Sequence, residues 1–237
     1  MASGALHCQI INFWMEMGHP PNFDWLMRDP LPHTPVDQIT KKLKELQKLG
    51  GITLKQNPDD DSKLDDHSPI TEMQPFSAAP TPFYVKTSDK EGGLCYWASC
   101  ALSAIGIFFL VPTTTITIYT CFGAEHEQVT VDISRKNKKE KISASSKNVS
   151  LHLPPLFGAN PQYFTQGSLF FKNEKQLDEW CCKHNLPRGR LLDLDTAFKL
   201  AKLFFSKHHS NQWAPWTDKD VNAMFKAIGL NDEFFQI

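Results

Sequence analysis

Apolar residues recur at helical spacing near the start of the chain. Five of them predict a first helix: Leu6, Ile10, Phe13, Trp14 and Met17. The sequence GHPP at residues 18–21 ends that helix, and residues 23–28 are predicted to form a short second one. A third helix is predicted to begin at Pro35, with Thr34 as its N-cap. Its apolar stripe consists of Val36, Ile39, Leu43, Leu46 and Leu49.

Three helices followed by an extended segment are typical of a winged-helix unit, so residues 1–85 are predicted to form a winged-helix-like N-terminal domain. A strand candidate, ITLKQ, and an acidic turn-rich segment follow the third helix at residues 52–69. DNA is not the expected partner, because the lysines of the third helix fit its solvated face and the neighbouring aspartates would repel phosphates. These residues are Lys41, Lys42, Lys44 and Lys48, and Asp59, Asp60, Asp61, Asp65 and Asp66.

The second part of the chain mixes helices with alternating, β-branched strands, which predicts an α+β fold. The apolar run at residues 96–111 is predicted to be one buried helix. Strands are predicted at residues 113–121 and 128–134, paired as a hairpin around FGAEHE, and at residues 148–154 and 167–171. Further helices are predicted at residues 173–185, 195–208 and 217–229, the last one with Thr217 as its N-cap. We take residues 86–210 as an α+β domain and residues 211–237 as a C-terminal helical extension.

The composition is that of a folded protein without a dominant charge. Hydrophobic residues make up 41% of the 237 residues, and the formal net charge of −1 gives no field that would attract nucleic acid or an anionic membrane. We recognise no secretory signal, and the apolar run at residues 101–112 is too short to span a bilayer. Six cysteines in such a chain favour free thiols in a reducing compartment, so we expect a soluble, cytoplasmic protein without a membrane partner.

Among the cysteines, the best candidates for a reactive thiol are Cys100 in the predicted apolar helix and Cys121 at the end of the first hairpin strand. The alternative for Cys100 is a packing role, which is common for cysteines in apolar helices. Cys8 is predicted to pack. The pair Cys181–Cys182 with His184 lacks the second pair of cysteines that would complete a zinc site, so we do not expect metal there.

Three segments of the chain resemble the alkylmercury (organomercurial) lyase family. ASCALS at residues 98–103 resembles the family's active-site helix, where Trp-Cys-Ala-Leu-Asp precedes apolar residues. TITIYTCFGAEHEQVTVDIS at residues 115–134 is similar to the following hairpin, and residues 168–205 are similar to the family's ending. The helical N-terminus matches the family's own winged-helix domain. The resemblance implies an alkylmercury-lyase-like domain over residues 86–210.

The resemblance also implies a reaction, protonolysis of a carbon–mercury bond, in which two cysteine thiolates bind mercury and a carboxylic acid helps to deliver a proton to the leaving carbon. By position Cys100 matches the first catalytic cysteine, and Cys121 matches an additional hairpin cysteine. Ser103 stands where the family has its aspartate, and we assign it to the catalytic set because a serine can relay a proton. Thr165, or Gln166 beside it, occupies the place of the second catalytic cysteine, and neither can replace a thiolate.

Three sources of a second sulfur are open: Cys121 moving inward, Cys95 at what is predicted to be the start of the helix, or an external thiol such as glutathione. We predict an organomercurial lyase that takes a small organomercurial substrate and low-molecular-weight thiols, needs no resident cofactor and retains Hg(II) as bound product. The alternatives are a non-catalytic lyase-fold protein that binds a soft metal or a thiol-reactive ligand, and a winged-helix interaction module. His152 is expected to be structural or exposed rather than catalytic.

Overall fold

The computed structural model describes residues 2–235 except 59, 66, 68, 89–92, 126 and 156–166. It is a mixed structure of helices and antiparallel sheets, as the α+β prediction requires. The helices are α1 (Ser3–Met17), α2 (Phe23–Arg28), α3 (Val36–Lys48), α4 (Ala101–Leu110), α5 (Glu174–His184), α6 (Leu194–Phe205) and α7 (Asp218–Ala227). Over the described part of the chain, none of the helices combines the length and the apolar character that a bilayer crossing demands.

The strands pair antiparallel throughout the described residues. They are β1 (Thr53–Leu54), β2 (Gln56–Asn57), β3 (Asp60–Leu64), β4 (Ile70–Met73), β5 (Phe76–Ser77), β6 (Tyr84–Thr87), β7 (Cys95–Ala98), β8 (Thr115–Cys121), β9 (Gln128–Lys136), β10 (Lys139–Ala144), β11 (Ser150–Leu153), β12 (Phe170–Phe171) and β13 (Arg190–Asp193). An eight-stranded sheet has the order β1-β4-β5-β7-β6-β8-β9-β10. The order β12-β11-β13 forms a three-stranded sheet, and β2 pairs with β3.

The first three helices lie where the apolar pattern predicts them. The third helix buries the middle of its predicted stripe, whereas its two ends, Val36 and Leu49, are exposed. This helix begins at Val36 with Pro35 in the N-cap position, and no side chain caps it, so the prediction of Thr34 as the cap is wrong. Proline fits here because it lacks the N–H that the start of a helix leaves without an intrahelical partner.

A winged-helix domain at residues 1–85 is not confirmed. Strands β1, β4 and β5, which follow α3, are hydrogen-bonded into the same eight-stranded sheet as β7, β6 and β8. The segment that was expected to form a wing is therefore continuous with the sheet of the lyase-like part. Local periodicity predicts a strand but not its partners, because pairing is decided by residues far away in the sequence. The domain boundaries stay predictions.

The apolar run at residues 96–111 is not one helix. Cys95–Ala98 forms β7, and α4 begins only at Ala101, with Cys100 as its N-cap in extended conformation at φ −161° and ψ 178°. The prediction is wrong for the start of the run because a continuous apolar stretch has no periodicity that separates a buried strand from a buried helix. Cys95 therefore begins a strand, and the residue at the start of the helix is Cys100.

The predicted hairpin is confirmed. Strands β8 and β9 pair along the whole of β8, from Thr115 opposite Ser134 to Cys121 opposite Gln128. Alternation along β8 sends Ile116 and its alternate neighbours into the core, which matches the period-2 pattern of the sequence. The strands predicted at residues 148–154 and 167–171 and the three later helices lie within three residues of their predicted bounds, whereas β10 and β13 were not predicted.

Helix α4 is buried at the centre of the fold, between the large sheet and α6. All but one of its ten residues are buried, and the helix packs closely on α6 at Gly106. A methyl group at this position would overlap the Phe205 ring, so glycine permits the close approach of the two helices. The fold thus holds the start of α4, and Cys100 with it, inside the core.

Candidate active site

The Cys100 thiol lies at the N-terminus of α4 and is 1% exposed. Its sulfur accepts a hydrogen bond from the Ser103 N–H at 3.4 Å and lies 3.3 Å from the Ser103 hydroxyl oxygen. The two candidates that the sequence assigned to catalysis are therefore in direct contact. A residue three positions after an N-cap points back toward it, which is why this spacing brings the two side chains together.

The N–H groups at the start of α4 all have partners. The Ala101 N–H donates to the Ser168 carbonyl oxygen at 2.9 Å, and the Leu102 N–H donates to the Ser168 hydroxyl at 3.4 Å. The next N–H, of Ser103, donates to the Cys100 sulfur, and the one after it donates to the Cys100 carbonyl oxygen at 2.8 Å. A helix start without such partners would be costly to bury. Two of these donors act on Ser168, which ties the segment before β12 to the thiol.

Burial and hydrogen bonding act on the Cys100 thiol in opposite directions. Burial raises the pKa of the thiol above its ordinary value. Hydrogen bonds from the Ser103 hydroxyl and N–H, from the Ser168 hydroxyl and from the Leu102 N–H oppose that rise by stabilising the thiolate. Cys100 is thus a protonated thiol near neutral pH, in a site that is furnished with donors for its thiolate.

A second hydroxyl continues the polar contacts beyond Ser103. The Ser99 and Ser103 hydroxyl oxygens lie 2.9 Å apart, so one donates to the other. We call Ser99, Cys100, Ser103 and Ser168 the thiol cluster. The sequence analysis missed Ser99 and Ser168. Ser99 lies four residues before Ser103, a spacing that would have indicated contact only if the bend between β7 and α4 had been foreseen.

The His152 ring is hydrogen-bonded to the residue before Ser168. Among the described residues it makes no hydrogen bond to the thiol cluster. Nδ1 lies 2.7 Å from the Gly167 carbonyl oxygen, and Nε2 accepts from the Gly189 N–H at 3.0 Å. This pairing fixes the neutral tautomer with its proton on Nδ1. Burial lowers the pKa of His152 to about 4, in agreement with a neutral structural ring. The expectation of a structural role fits this geometry.

The structure places Cys95 and Cys121 on the sheet face opposite to the core. Alternation puts Cys95 on the same face as Trp97, and Cys121 on the same face as Tyr119, and both rings contact Tyr84 there. Cys95 lies at the far end of β7, about 15 Å of extended chain from Cys100. Cys121 lies two strands away from β7 in the sheet, roughly 10 Å across. Neither thiol joins the thiol cluster in this conformation.

The remaining cysteines lie elsewhere. Cys181 is buried on α5 and Cys182 is exposed, while His184 pairs with Glu125 at 2.9 Å. The described ranges hold no group of three or more histidine, cysteine or acidic side chains that could bind a metal ion. Thr165 and Gln166, at the position of the family's second cysteine, lie outside the described residues.

Comparisons with known proteins extend this picture. The family model for MerB, alkylmercury lyase, matches residues 76–206, more than half of the chain and the whole of the thiol cluster. The chain is also similar to a solved structure described as the mercury-bound form of MerB2, with a TM-score of 0.63 and 14% sequence identity over 89% of this chain and 92% of that chain. That likeness concerns the fold. A comparison with curated proteins gave no match. On the strength of the family match, the resemblance seen in the sequence is confirmed, and the chain belongs to the alkylmercury lyase family.

Proposed function

We propose that the chain is an organomercurial lyase, which cleaves the carbon–mercury bond of a small organomercurial by protonolysis and gives a hydrocarbon and Hg(II). The observation that carries the proposal is the contact between the Cys100 sulfur and the Ser103 hydroxyl, 3.3 Å apart at the buried start of α4. Both residues lie within the segment matched by the family. The Cys100 sulfur binds mercury, and the Ser103 hydroxyl passes a proton.

The chemistry of the thiol suits a soft metal. Mercury prefers sulfur ligands to oxygen or nitrogen, and it replaces the thiol proton when it binds. At Cys100 the resulting thiolate sulfur keeps the hydrogen bond from the start of α4, in surroundings made of apolar side chains. A sulfur ligand also weakens the opposite mercury–carbon bond, so protonation of the carbon becomes easier.

We infer that an external thiol supplies the second sulfur. Cys95 and Cys121 face away from the core on the outer side of the sheet, at some distance from Cys100. An organomercurial in a thiol-containing cell is already bound to one low-molecular-weight thiolate, so the substrate brings this sulfur with it. A second external thiol then takes Hg(II) from Cys100 and restores the free enzyme.

The test is benzene release from phenylmercury in the presence of excess thiol. We expect release above the thiol-only blank, complete loss of it with Cys100→Ala, and a slower rate with Ser103→Ala. Cys181→Ser serves as the matched control, because Cys181 is also a buried thiol but lies on α5, outside the thiol cluster. Release that persists in Cys100→Ala would contradict the proposal.

A non-catalytic member of the family, which binds a soft metal at Cys100, is the alternative outcome of the same test. It is favoured by the serine at position 103, because a hydroxyl is a far weaker acid than a carboxyl group. In that case the folded protein would bind one equivalent of phenylmercury more than Cys100→Ala does, and it would release no benzene.

A further inference from the structure

Three aromatic side chains form a row on the outer face of the large sheet, the face opposite to the core. Trp97 of β7 lies opposite Tyr84 of β6, and Tyr84 lies opposite Tyr119 of β8. The ring centroid of Tyr84 is 5.0 Å from that of Trp97 and 6.1 Å from that of Tyr119. Tyr119 is 44% exposed, and the other two residues are partly exposed. We call these three residues the aromatic row. Large rings gathered at the surface indicate a contact site for a partner.

Lysines gather on the same face at the hairpin of β9 and β10. Alternation along the two strands puts Lys136, Lys139 and Lys141 on the face that carries Tyr119, and all three are exposed. Lys138 lies in the turn between the strands and is also exposed. We call these four lysines the basic hairpin. Over the described part of the chain, the ion pairs found do not include any of them.

The hairpin carries these lysines at a cost to its own stability. Lys136 and Lys139 are directly opposite each other in the pairing of β9 with β10, where like charges are destabilising. Both residues of the turn have a positive φ, 51° at Asn137 and 64° at Lys138. Glycine is the favoured residue at the second position of such a turn, so a lysine there is a less stable choice. Local choices that oppose folding are expected at functional sites, and here they indicate an anionic partner.

The net charge of −1 is a sum over the whole chain and does not describe the outer face. The expectation that nucleic acid is not a partner rests on that sum and on the surroundings of α3. On the outer face, Lys86 of β6 adds to the basic hairpin and is exposed. Asp132 of β9 is exposed there too and accepts a hydrogen bond from the Thr117 hydroxyl at 2.7 Å. Glu72, beyond Ser77 in line with the aromatic row, is half-buried. The lysines outnumber these carboxylates, so this face attracts anions.

We propose that the outer face binds single-stranded nucleic acid, with bases stacked on the aromatic row and phosphates held by Lys86 and the basic hairpin. Sites for single strands combine these two features, since rings stack on bases of any sequence while lysines follow the backbone. Lys86 is about 7 Å of strand from Tyr84, and Lys136 is about 20 Å of strand from Thr130, the residue opposite Tyr119. A strand of several nucleotides can therefore reach both features.

The aromatic row favours a single strand over other anions. A duplex keeps the faces of its bases stacked inside, and an acidic peptide or an anionic membrane offers few planar groups that could stack on three rings. The proposal is independent of the lyase reaction, because the aromatic row and the basic hairpin lie on the face of the sheet opposite to the core that holds Cys100.

The experiment measures the affinity of the full chain for fluorescein-labelled oligomers of deoxythymidine and of uridine, each of about 15 nucleotides, by fluorescence anisotropy. We expect binding at about 50 mM salt that weakens steeply toward about 200 mM, and weaker binding of a duplex of the same length. Binding of either oligomer supports the proposal, and the tighter of the two identifies the nucleic acid.

Substitution of the rings tests the stacking. Trp97→Ala and Tyr119→Ala should each weaken binding by about 10-fold, the usual order for the loss of one stacked base, and should leave the salt dependence unchanged. Trp25→Ala, which removes a partly exposed ring of α2, is the matched control and should bind as the wild type does. Tyr119→Ala, at an exposed position, decides the question if Trp97→Ala does not fold.

Substitution of the lysines tests the phosphate contacts. Lys136→Gln combined with Lys139→Gln should lower the slope of log affinity against log salt by about 1.4, the value for two lost contacts with a single strand. The same pair of changes should raise the urea concentration at the midpoint of unfolding, because the repulsion across the hairpin is relieved. Lys44→Gln combined with Lys48→Gln, on the exposed side of α3, is the matched control and should leave the slope unchanged.

Three results would overturn the proposal. The first is that the wild-type protein binds neither oligomer at about 50 mM salt. The second is equal binding of oligomer and duplex that neither ring substitution weakens, since this is attraction to lysines alone. The third is displacement of the oligomer by a lower concentration of poly-glutamate or of phosphatidylserine vesicles. Benzene release from phenylmercury should be the same in the double lysine variant as in the wild type, so a failure of the lyase reaction is distinguishable from a failure of nucleic-acid binding.

Discussion

Two buried polar clusters in this molecule perturb the pKa values of their members, but they are built differently. In the thiol cluster the Cys100 sulfur contacts the N–H and the hydroxyl of Ser103, and the Ser99 hydroxyl continues these hydrogen bonds. The second, which we call the histidine cluster, consists of His7, His208 and Trp213. The His7 ring stacks on Trp213 with centroids 3.8 Å apart and lies 5.5 Å from the His208 ring.

The ring of His7 in the histidine cluster lacks hydrogen-bond partners among the described residues. Neither nitrogen of His7 has a hydrogen-bond partner among the described residues, and the same holds for Nδ1 of His208. Burial, with a smaller contribution from His208, lowers the pKa of His7 to about 2. Burial also lowers the pKa of His208 to about 4. A shifted pKa therefore marks burial in both places, but the buried Cys100 thiol has hydrogen-bond partners, which His7 lacks among the described residues.

The largest expected effect is the loss of activity on removal of the thiol. Cys100→Ala should reduce benzene release from phenylmercury to the thiol-only blank, because Cys100 is the one cysteine of the thiol cluster. His7→Phe should leave the rate of benzene release near that of the wild type, although it removes a side chain whose pKa is lowered to about 2. Equal losses in the two variants would erase the distinction between the clusters.

The next effect concerns stability against pH in the histidine cluster. Because the pKa of His7 is lowered from 6.5 to about 2, His7 between these pH values is protonated in the unfolded chain and neutral in the folded chain. The stability that the neutral His7 ring contributes is fully present above pH 6.5 and is lost as the pH falls. His7→Phe, which keeps a ring on Trp213, should reduce the loss between pH 6.5 and 4 by about 3 kcal/mol. His152 and His208 retain their own contributions.

Urea denaturation at a series of pH values measures this difference. His19→Phe, at an exposed position, is the control for the added apolar ring. If the free energy of unfolding of His7→Phe varied with pH as that of the wild type does, the His7 ring would be in contact with water, and the histidine cluster would not exclude solvent.

A carboxyl group placed beside the thiol should make proton transfer faster. Ser103→Asp puts the family's residue in contact with Cys100, so a carboxyl group, which is a far stronger acid than a hydroxyl, can deliver the proton. This change should raise kcat for benzene release from phenylmercury by about 100-fold, the usual order for a positioned proton-transfer group. Ser103→Asn has nearly the same shape and holds no exchangeable acid, so it should not raise kcat. A rise in both variants would point to packing rather than to proton transfer.

The sequence predicted the helices well and the surroundings of the thiol only in part. Periodicity located α1, α3 and the hairpin of β8 and β9, since each has one buried face and one solvated face. It failed at residues 96–100, where a short apolar strand, partly buried on one face, leads within three residues into a buried helix. The contact of Cys100 with Ser103 follows from local spacing. Ser99 and Ser168 could not be predicted, because the position of Ser99 depends on the bend between β7 and α4, and Ser168 comes from a distant part of the chain.

The smallest expected effect is that of Ser168→Ala on the stability of the protein and on the alkylation of Cys100. Ser168→Ala removes the acceptor of the Leu102 N–H, a long hydrogen bond of 3.4 Å in a fully buried place. A buried N–H without a partner costs about 1 kcal/mol or more, so the free energy of unfolding should fall by roughly that amount. The pKa of Cys100 should rise further, since the Ser168 hydroxyl also stabilises its thiolate. Alkylation by iodoacetamide should accordingly become slower at a given pH.

Ser206→Ala is the control for Ser168→Ala. The Ser206 hydroxyl donates to the Leu203 carbonyl oxygen at 2.7 Å at the exposed end of α6, where water can replace the lost partner. We expect a smaller loss of stability there and no change in alkylation, despite the shorter hydrogen bond. If Ser168→Ala lowered stability without slowing alkylation, the Ser168 hydroxyl would stabilise the start of α4 and have no effect on the thiolate. If alkylation slowed as well, the Ser168 hydroxyl would be one of the donors that stabilise the Cys100 thiolate, whereas the buried His7 ring has no such partners among the described residues.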